Sequence, residues 1–122
     1  MFKTYLKDDK EGLKVFKKAA KKFSLEPSKI DLVSYDSFFG ATIYMLAISD
    51  KKLCILSTDN KEPEIFDLSE FNGIFLEKKT DLNLSLRNGR VINLTSVVGV
   101  KTSVAKQIEN INENIKALQW NR

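Results

Sequence analysis

Histidine is absent from the 122 residues, and with it the commonest general base and the commonest transition-metal ligand of proteins. Ser-His-Asp, Cys-His and histidine–zinc chemistries are excluded together. Cysteine occurs once, as Cys54, so no intrachain disulfide can form and a multi-cysteine zinc site is ruled out. Cys54 lies inside the apolar run Leu53 to Leu56, where packing in a strand explains it better than reactivity, which calls for a basic, partly open setting. The five glycines stand apart from one another and form neither a GxGxxG pattern nor a P-loop. The acid-bearing stretch Asp50 to Asp67 contains no glycine and so does not read as an EF-hand calcium loop. No cofactor and no metal is expected.

Long apolar runs are also missing. The longest, Ala41 to Ile48, is far short of the roughly 20 residues a membrane-spanning helix needs. The chain opens Met1-Phe2-Lys3-Thr4-Tyr5 and reaches Asp8 and Asp9 without an apolar stretch, so no secretory signal is read and a cytoplasmic location is expected. With only two prolines, 43% hydrophobic and 30% charged residues, the composition is that of an ordered globular chain, taken as a single domain over 1–122. Its richness in Lys, Asn and Ile suits an AT-rich bacterial or phage genome.

The formal charge of +4 is unevenly placed. Residues 1–29 hold nine lysines against four acids, whereas the remainder holds eleven bases against twelve acids. A local excess of this kind can mark a face for an anionic partner, although a lysine-rich helix face is more simply a solvated surface.

Leu13, Phe16, Ala20 and Phe23 recur at helical intervals, and Asp8 and Glu11 stand before them at capping-box spacing, predicting a helix over 9–23. Its other side carries Lys14, Lys17, Lys18, Lys21 and Lys22, the candidate contacts for an anion or lipid. From Ile30 the period becomes extended. Strands are predicted at Ile30 to Tyr35, Ala41 to Ile48, Leu53 to Ser57, Glu64 to Asp67, Gly73 to Lys78, 82–86 and Arg90 to Ser96. Around Asn88-Gly89, a three-residue loop, Arg87 to Gly89, would pair Leu84 with Ile92 and Leu82 with Leu94, and this bulged hairpin is the register expected. Over 102–120, Val104, Ile108, Ile111, Ile115 and Leu118 form one apolar stripe, too short to favour a coiled coil over docking on a sheet.

Carboxylates such as Asp36, Asp50, Asp59 and Glu62 fall at predicted strand ends and turns, where acids occur for structural reasons. The aromatic residues do not interleave with Lys and Arg on one sheet face, which disfavours nucleic-acid binding.

At Ala41-Thr42-Ile43-Tyr44-Met45-Leu46-Ala47-Ile48-Ser49-Asp50-Lys51-Lys52-Leu53 the chain resembles the bacterial pleckstrin-homology-like (PH-like) family, in which an apolar strand runs into a Thr-Asp-Lys-Arg-Leu type of turn. Ser49 replaces Thr and Lys52 replaces Arg. Ile65-Phe66-Asp67-Leu68-Ser69-Glu70-Phe71-Asn72-Gly73-Ile74 is similar to the family's next strand, its Leu-Ser-x-Ile turn and the strand that follows. The resemblance spans about Leu25 to Leu118. It implies an α+β fold over 25–120, a PH-like barrel or roll of about seven antiparallel strands in two roughly orthogonal sheets, closed by the C-terminal amphipathic helix at 102–120. The N-terminal helix lies outside that core as an extra element.

PH domains that bind phosphoinositides gather Lys and Arg on the loop joining their first two strands. The corresponding stretch here, Ser34 to Gly40, contains no base. Tyr35, Phe38 and Phe39 within it are instead candidate contacts for a protein partner, with folding back as loop packing the plainer alternative. The expected function is non-catalytic: a PH-like module acting by protein–protein contacts as adaptor, assembly subunit or inhibitor. The alternative is peripheral binding to anionic membrane lipid through the lysine-rich helix. Self-association is left open.

Overall fold

The computed structural model describes residues 3–38, 41–57, 62–78, 80–96 and 104–120. Eight strands form two antiparallel sheets. β1 (Lys3–Leu6), β2 (Ile30–Phe38), β3 (Ala41–Ser49), β4 (Lys52–Leu56) and β5 (Glu64–Asp67) make a five-stranded sheet in that spatial order. β6 (Phe71–Glu77), β7 (Asp81–Leu86) and β8 (Val91–Thr95) make the second. Helix α1 (Leu13–Phe23) lies between β1 and β2 in the chain, and α2 (Val104–Trp120) follows β8. Among the described residues the sheets remain separate and do not close into one barrel.

Alternation along the central strands explains the continuous apolar run at Ala41 to Ile48. Tyr44, Leu46 and Ile48 point to one face with Leu32, Leu53 and Ile55, where they pack against the three-stranded sheet and the Val104, Ile111 and Ile115 side of α2. Met45 and Ala47 point to the other face with Ile30, Val33 and Cys54, beneath Val15, Phe16, Ala19, Ala20 and Phe23 of α1. A strand buried on both faces has no solvated side on which to place polar residues. The N-terminal helix is therefore a second layer with its own core. Phe16 and Phe23 are each worth about 2 to 3 kcal/mol there as an upper estimate.

The start of α1 differs from the capping box expected of Asp8 and Glu11. Lys10–Gly12 forms a short 3₁₀ turn, neither it nor α1 has a side-chain cap, and Asp8 takes a left-handed conformation with φ 79°. Asp9 turns back on the preceding strand instead, accepting from the Leu6 N–H at 2.8 Å through Oδ2. The helix ends at Phe23 because Ser24 adopts φ 55°, and the Ser24 and Leu25 N–H groups both close on the Ala20 carbonyl. β1 itself was not expected, and it raises the strand number from about seven to eight.

Two turns follow from local chemistry. Asp50 and Lys51, at φ 50° and 61°, form the two-residue connection between β3 and β4, the left-handed pair that matches strand twist. The Lys51 ammonium then bonds the Leu118 carbonyl near the end of α2, a favourable place for a cation. At the β7–β8 hairpin the Leu86 N–H donates to the Arg90 carbonyl at 2.9 Å, enclosing Arg87 to Gly89 as a three-residue loop with Gly89 at φ 91°. Leu84 pairs with Ile92 as expected, but Leu82 pairs with Thr95 rather than Leu94, because an irregularity follows between Leu82 and Asn83. Arg90 makes a two-point ion pair with Glu64 and lies 5.6 Å over the Phe66 ring, tying the hairpin tip to β5.

Candidate functional site

Two surface features flank the N-terminal segment, one cationic and one a cleft. On α1, Lys14, Lys17, Lys18, Lys21 and Lys22 are all exposed and repeat at the i, i+3, i+4, i+7, i+8 spacing that places residues on one helix face. The stripe is about 12 Å long at 1.5 Å per residue. α1 contains no acid, and among the described residues no ion pair involves any of the five. Like charges three and four residues apart oppose the helix by a few tenths of a kcal/mol per pair. Burial of the opposite face outweighs that cost. Leu13, 64% exposed, stands at the head of the stripe next to Lys14.

Tyr35 lies in β2 rather than in a loop, since the strand continues to Phe38. It is half-buried against the edge of the α1 core and stacks on Tyr5, with ring centroids 6.1 Å apart. Its hydroxyl is harder to ionise than usual, through partial burial first and then the neighbouring Tyr5. The Phe38 side chain and Phe39 lie outside the described residues. On the inner face of the same strand, Asp36 is buried and stands opposite Tyr44 in register. The Tyr44 hydroxyl meets Ser34 Oγ at 3.0 Å. Burial raises the Tyr44 pKa strongly, an effect the Ser34 bond opposes and the nearby Asp36 charge reinforces. These groups form a polar seam within the core.

The cleft lies between β1 and α2. It measures about 440 Å³, is open to solvent, and is bounded by β1, Asp9 and Glu11 on one side and Gln107, Asn110 and Asn114 of α2 on the other. The three α2 residues, at i, i+3 and i+7, share one helix face. β1 is one of the two edge strands of its sheet, and bond parity shows which of its groups point away from β2. The Lys7 N–H donates to the Asp31 carbonyl at 3.0 Å, so Lys3, Tyr5 and Lys7 are the residues that bond β2, while Thr4 and Leu6 present N–H and C=O outward. Both outward groups of Leu6 are taken by Asp9, the N–H by Oδ2 at 2.8 Å and the carbonyl by the Asp9 N–H at 3.1 Å. Thr4 has no such plug among the described residues.

No family model, curated protein or solved structure matches this chain.

Among the described residues no group of His, Cys, Asp and Glu could hold a metal ion, and no helix is long and apolar enough to cross a membrane. Cys54 is buried under α1, and burial raises its thiol pKa. The structure thus brings the five lysines onto one helix face and stacks Tyr35 on Tyr5. Lys3-Thr4-Tyr5-Leu6, the strand that walls the cleft, is too short and too polar to show a period of two, so neither strand nor cleft is legible in the sequence. Leu13, which keeps helical spacing with Phe16, is exposed rather than packed with it.

Proposed function

We propose that the chain is a non-catalytic binding module of PH-like type that docks on an anionic bilayer through the outer side of α1. The observation that carries this reading is the five-lysine stripe on a helix whose apolar face is committed to the sheet. An interfacial amphipathic helix would bury its apolar face among lipid tails. α1 has that face already occupied, so its contact with a membrane is electrostatic and its polar face lies flat on the headgroups. The stripe is all lysine. Lysine is a point charge that suits a diffuse anionic surface, whereas recognition of a single phosphate or of a base edge favours the arginine fork. Leu13 at the head of the stripe supplies one apolar side chain for the headgroup boundary.

The order β2 to β8 followed by α2, seven strands in two sheets and then a helix, supports the PH-like reading, with β1 and α1 as additions. The connection after β2 lacks bases, so attachment uses the added helix rather than a phosphoinositide loop. At about 1 kcal/mol per lysine close to an anionic leaflet, the stripe supplies at most about 5 kcal/mol. Attachment is therefore reversible and salt-sensitive.

Co-sedimentation with phosphatidylcholine vesicles, with and without phosphatidylserine, tests this. Binding is expected only with phosphatidylserine, at low ionic strength, and is abolished when Lys14, Lys17, Lys18, Lys21 and Lys22 are all replaced by Gln. Equal recovery with both kinds of vesicle, or unchanged binding by the Gln variant, overturns the reading.

A further inference from the structure

We infer that the cleft between β1 and α2 is a docking site for an extended segment of a partner protein, added as a short strand to the edge of β1 and carrying a lysine or arginine where it passes Asp9 and Glu11. This goes beyond attachment through α1 and does not depend on it.

The backbone supplies the first half of the argument. Every described residue of β1 that faces inward bonds β2, and of the outward pair Leu6 is sealed by Asp9. Thr4 alone offers an N–H and a C=O to the cleft, two groups that a strand about 4.8 Å away would satisfy.

Helix α2 supplies the second half. On its β6 side, α2 already treats a strand edge this way: Asn112 Oδ1 accepts from the Ile74 N–H at 2.8 Å and Asn112 Nδ2 donates to the Ile74 carbonyl at 2.9 Å. On the cleft side, Asn110 and Asn114 line a space of about 440 Å³ with the same donor–acceptor chemistry. A strand laid there has its inner edge on Thr4 and its outer edge on side-chain amides.

Charge selects among occupants. The charged side chains lining the cleft are Lys3, Asp9 and Glu11, and Lys10 joins the two acids in a smaller adjoining hollow; acids outnumber bases in both, and Glu11 is exposed with no ion pair among the described residues. A basic residue is favoured there, and an acidic one is opposed. The edges β5 and β8 of a second copy are poorer occupants, because Glu64–Asp67 has acids at both ends and Val91–Thr95 carries no base.

The test is a ¹H–¹⁵N titration of the full chain with the blocked peptide acetyl-Val-Lys-Val-Thr-amide and with its Glu-for-Lys counterpart. The lysine peptide is expected to shift Thr4, Asn110 and Asn114 signals and to slow hydrogen exchange of the Thr4 amide, with the glutamate peptide binding more weakly. Thr4→Pro removes only an outward N–H, so the ladder to β2 persists, and it should weaken binding about fivefold to tenfold, the loss of one backbone hydrogen bond. Asn110→Leu, at an exposed position, should weaken it too. Shifts that centre elsewhere, a Thr4→Pro variant that binds as well as the parent, or Thr4 protection that rises with protein concentration without peptide would each overturn the proposal. None of these outcomes alters vesicle binding, so the two readings fail separately.

Discussion

The side-chain amide of Asn112 holds both backbone groups of Ile74, standing in for the next strand of the sheet. The Ile74 N–H is 2.8 Å from Oδ1 and the Ile74 carbonyl 2.9 Å from Nδ2. Seven residues on, Gln119 Nε2 donates to the Leu68 and Phe71 carbonyls at 2.7 and 2.9 Å. α2 therefore does more than cover apolar surface: it terminates the three-stranded sheet at β6, where an open edge would invite pairing with other chains.

Asn112→Ala should accordingly cost about 2 kcal/mol, since two half-buried backbone groups lose their partner at once. Asn112→Asp should fare no better, because a carboxylate can accept from the N–H but faces the Ile74 carbonyl with an acceptor. Urea denaturation is the measure, with the midpoint falling and the slope unchanged. An Asp variant as stable as the parent would refute the two-point geometry.

Gly89→Ala should destabilise by about 1 kcal/mol through φ alone. The space around Gly89 is open, with no atom within 4 Å of an added Cβ, so crowding contributes nothing. Gly89→Asn should cost less, since Asn enters the left-handed region more readily. Thermal melting would show the Ala variant a few degrees below the parent and the Asn variant between them.

Stability should decline on the alkaline side. Burial raises the pKa of Tyr44 above its ordinary 10.0 and that of Cys54 above 9.0. The unfolded chain releases these protons first, so from about pH 8 upward it binds fewer protons than the folded chain and the free energy of unfolding falls with pH. Below about pH 8 both groups are protonated in both states and contribute almost no slope. Tyr44→Phe should lower stability at neutral pH by about 1 kcal/mol, for the lost bond to Ser34, yet flatten the decline above pH 10. A decline identical in Tyr44→Phe would assign it to other groups.

Much of the architecture could be read from residue order. The alternation of Leu82, Leu84 and Leu86 and the Asn88-Gly89 pair set the hairpin, and the stripe from Val104 to Leu118 set α2. What could not be read depends on contacts distant in sequence. β1 exists because Lys3 to Leu6 pairs with Leu32 to Tyr35, and no local pattern announces that. The capping box failed for a related reason, because Asp9 was drawn to the Leu6 backbone that β1 turns outward. Asp36 looked like a turn acid and proved to be a buried member of β2, since the strand ran three residues past the point where its apolar residues stopped. The lysine stripe is plain from spacing, but the seating of the other side of α1 on Val33, Met45 and Ala47 depends on strands distant in sequence.

That seating gives both N-terminal elements the same dependence. An 11-residue helix studded with like charges does not persist alone, and β1 is only four residues long. Both are held by strands that come later in the chain, β1 by its ladder to β2 and α1 by its packing on Val33, Met45 and Ala47, so neither can take its place before β2 and β3 are formed.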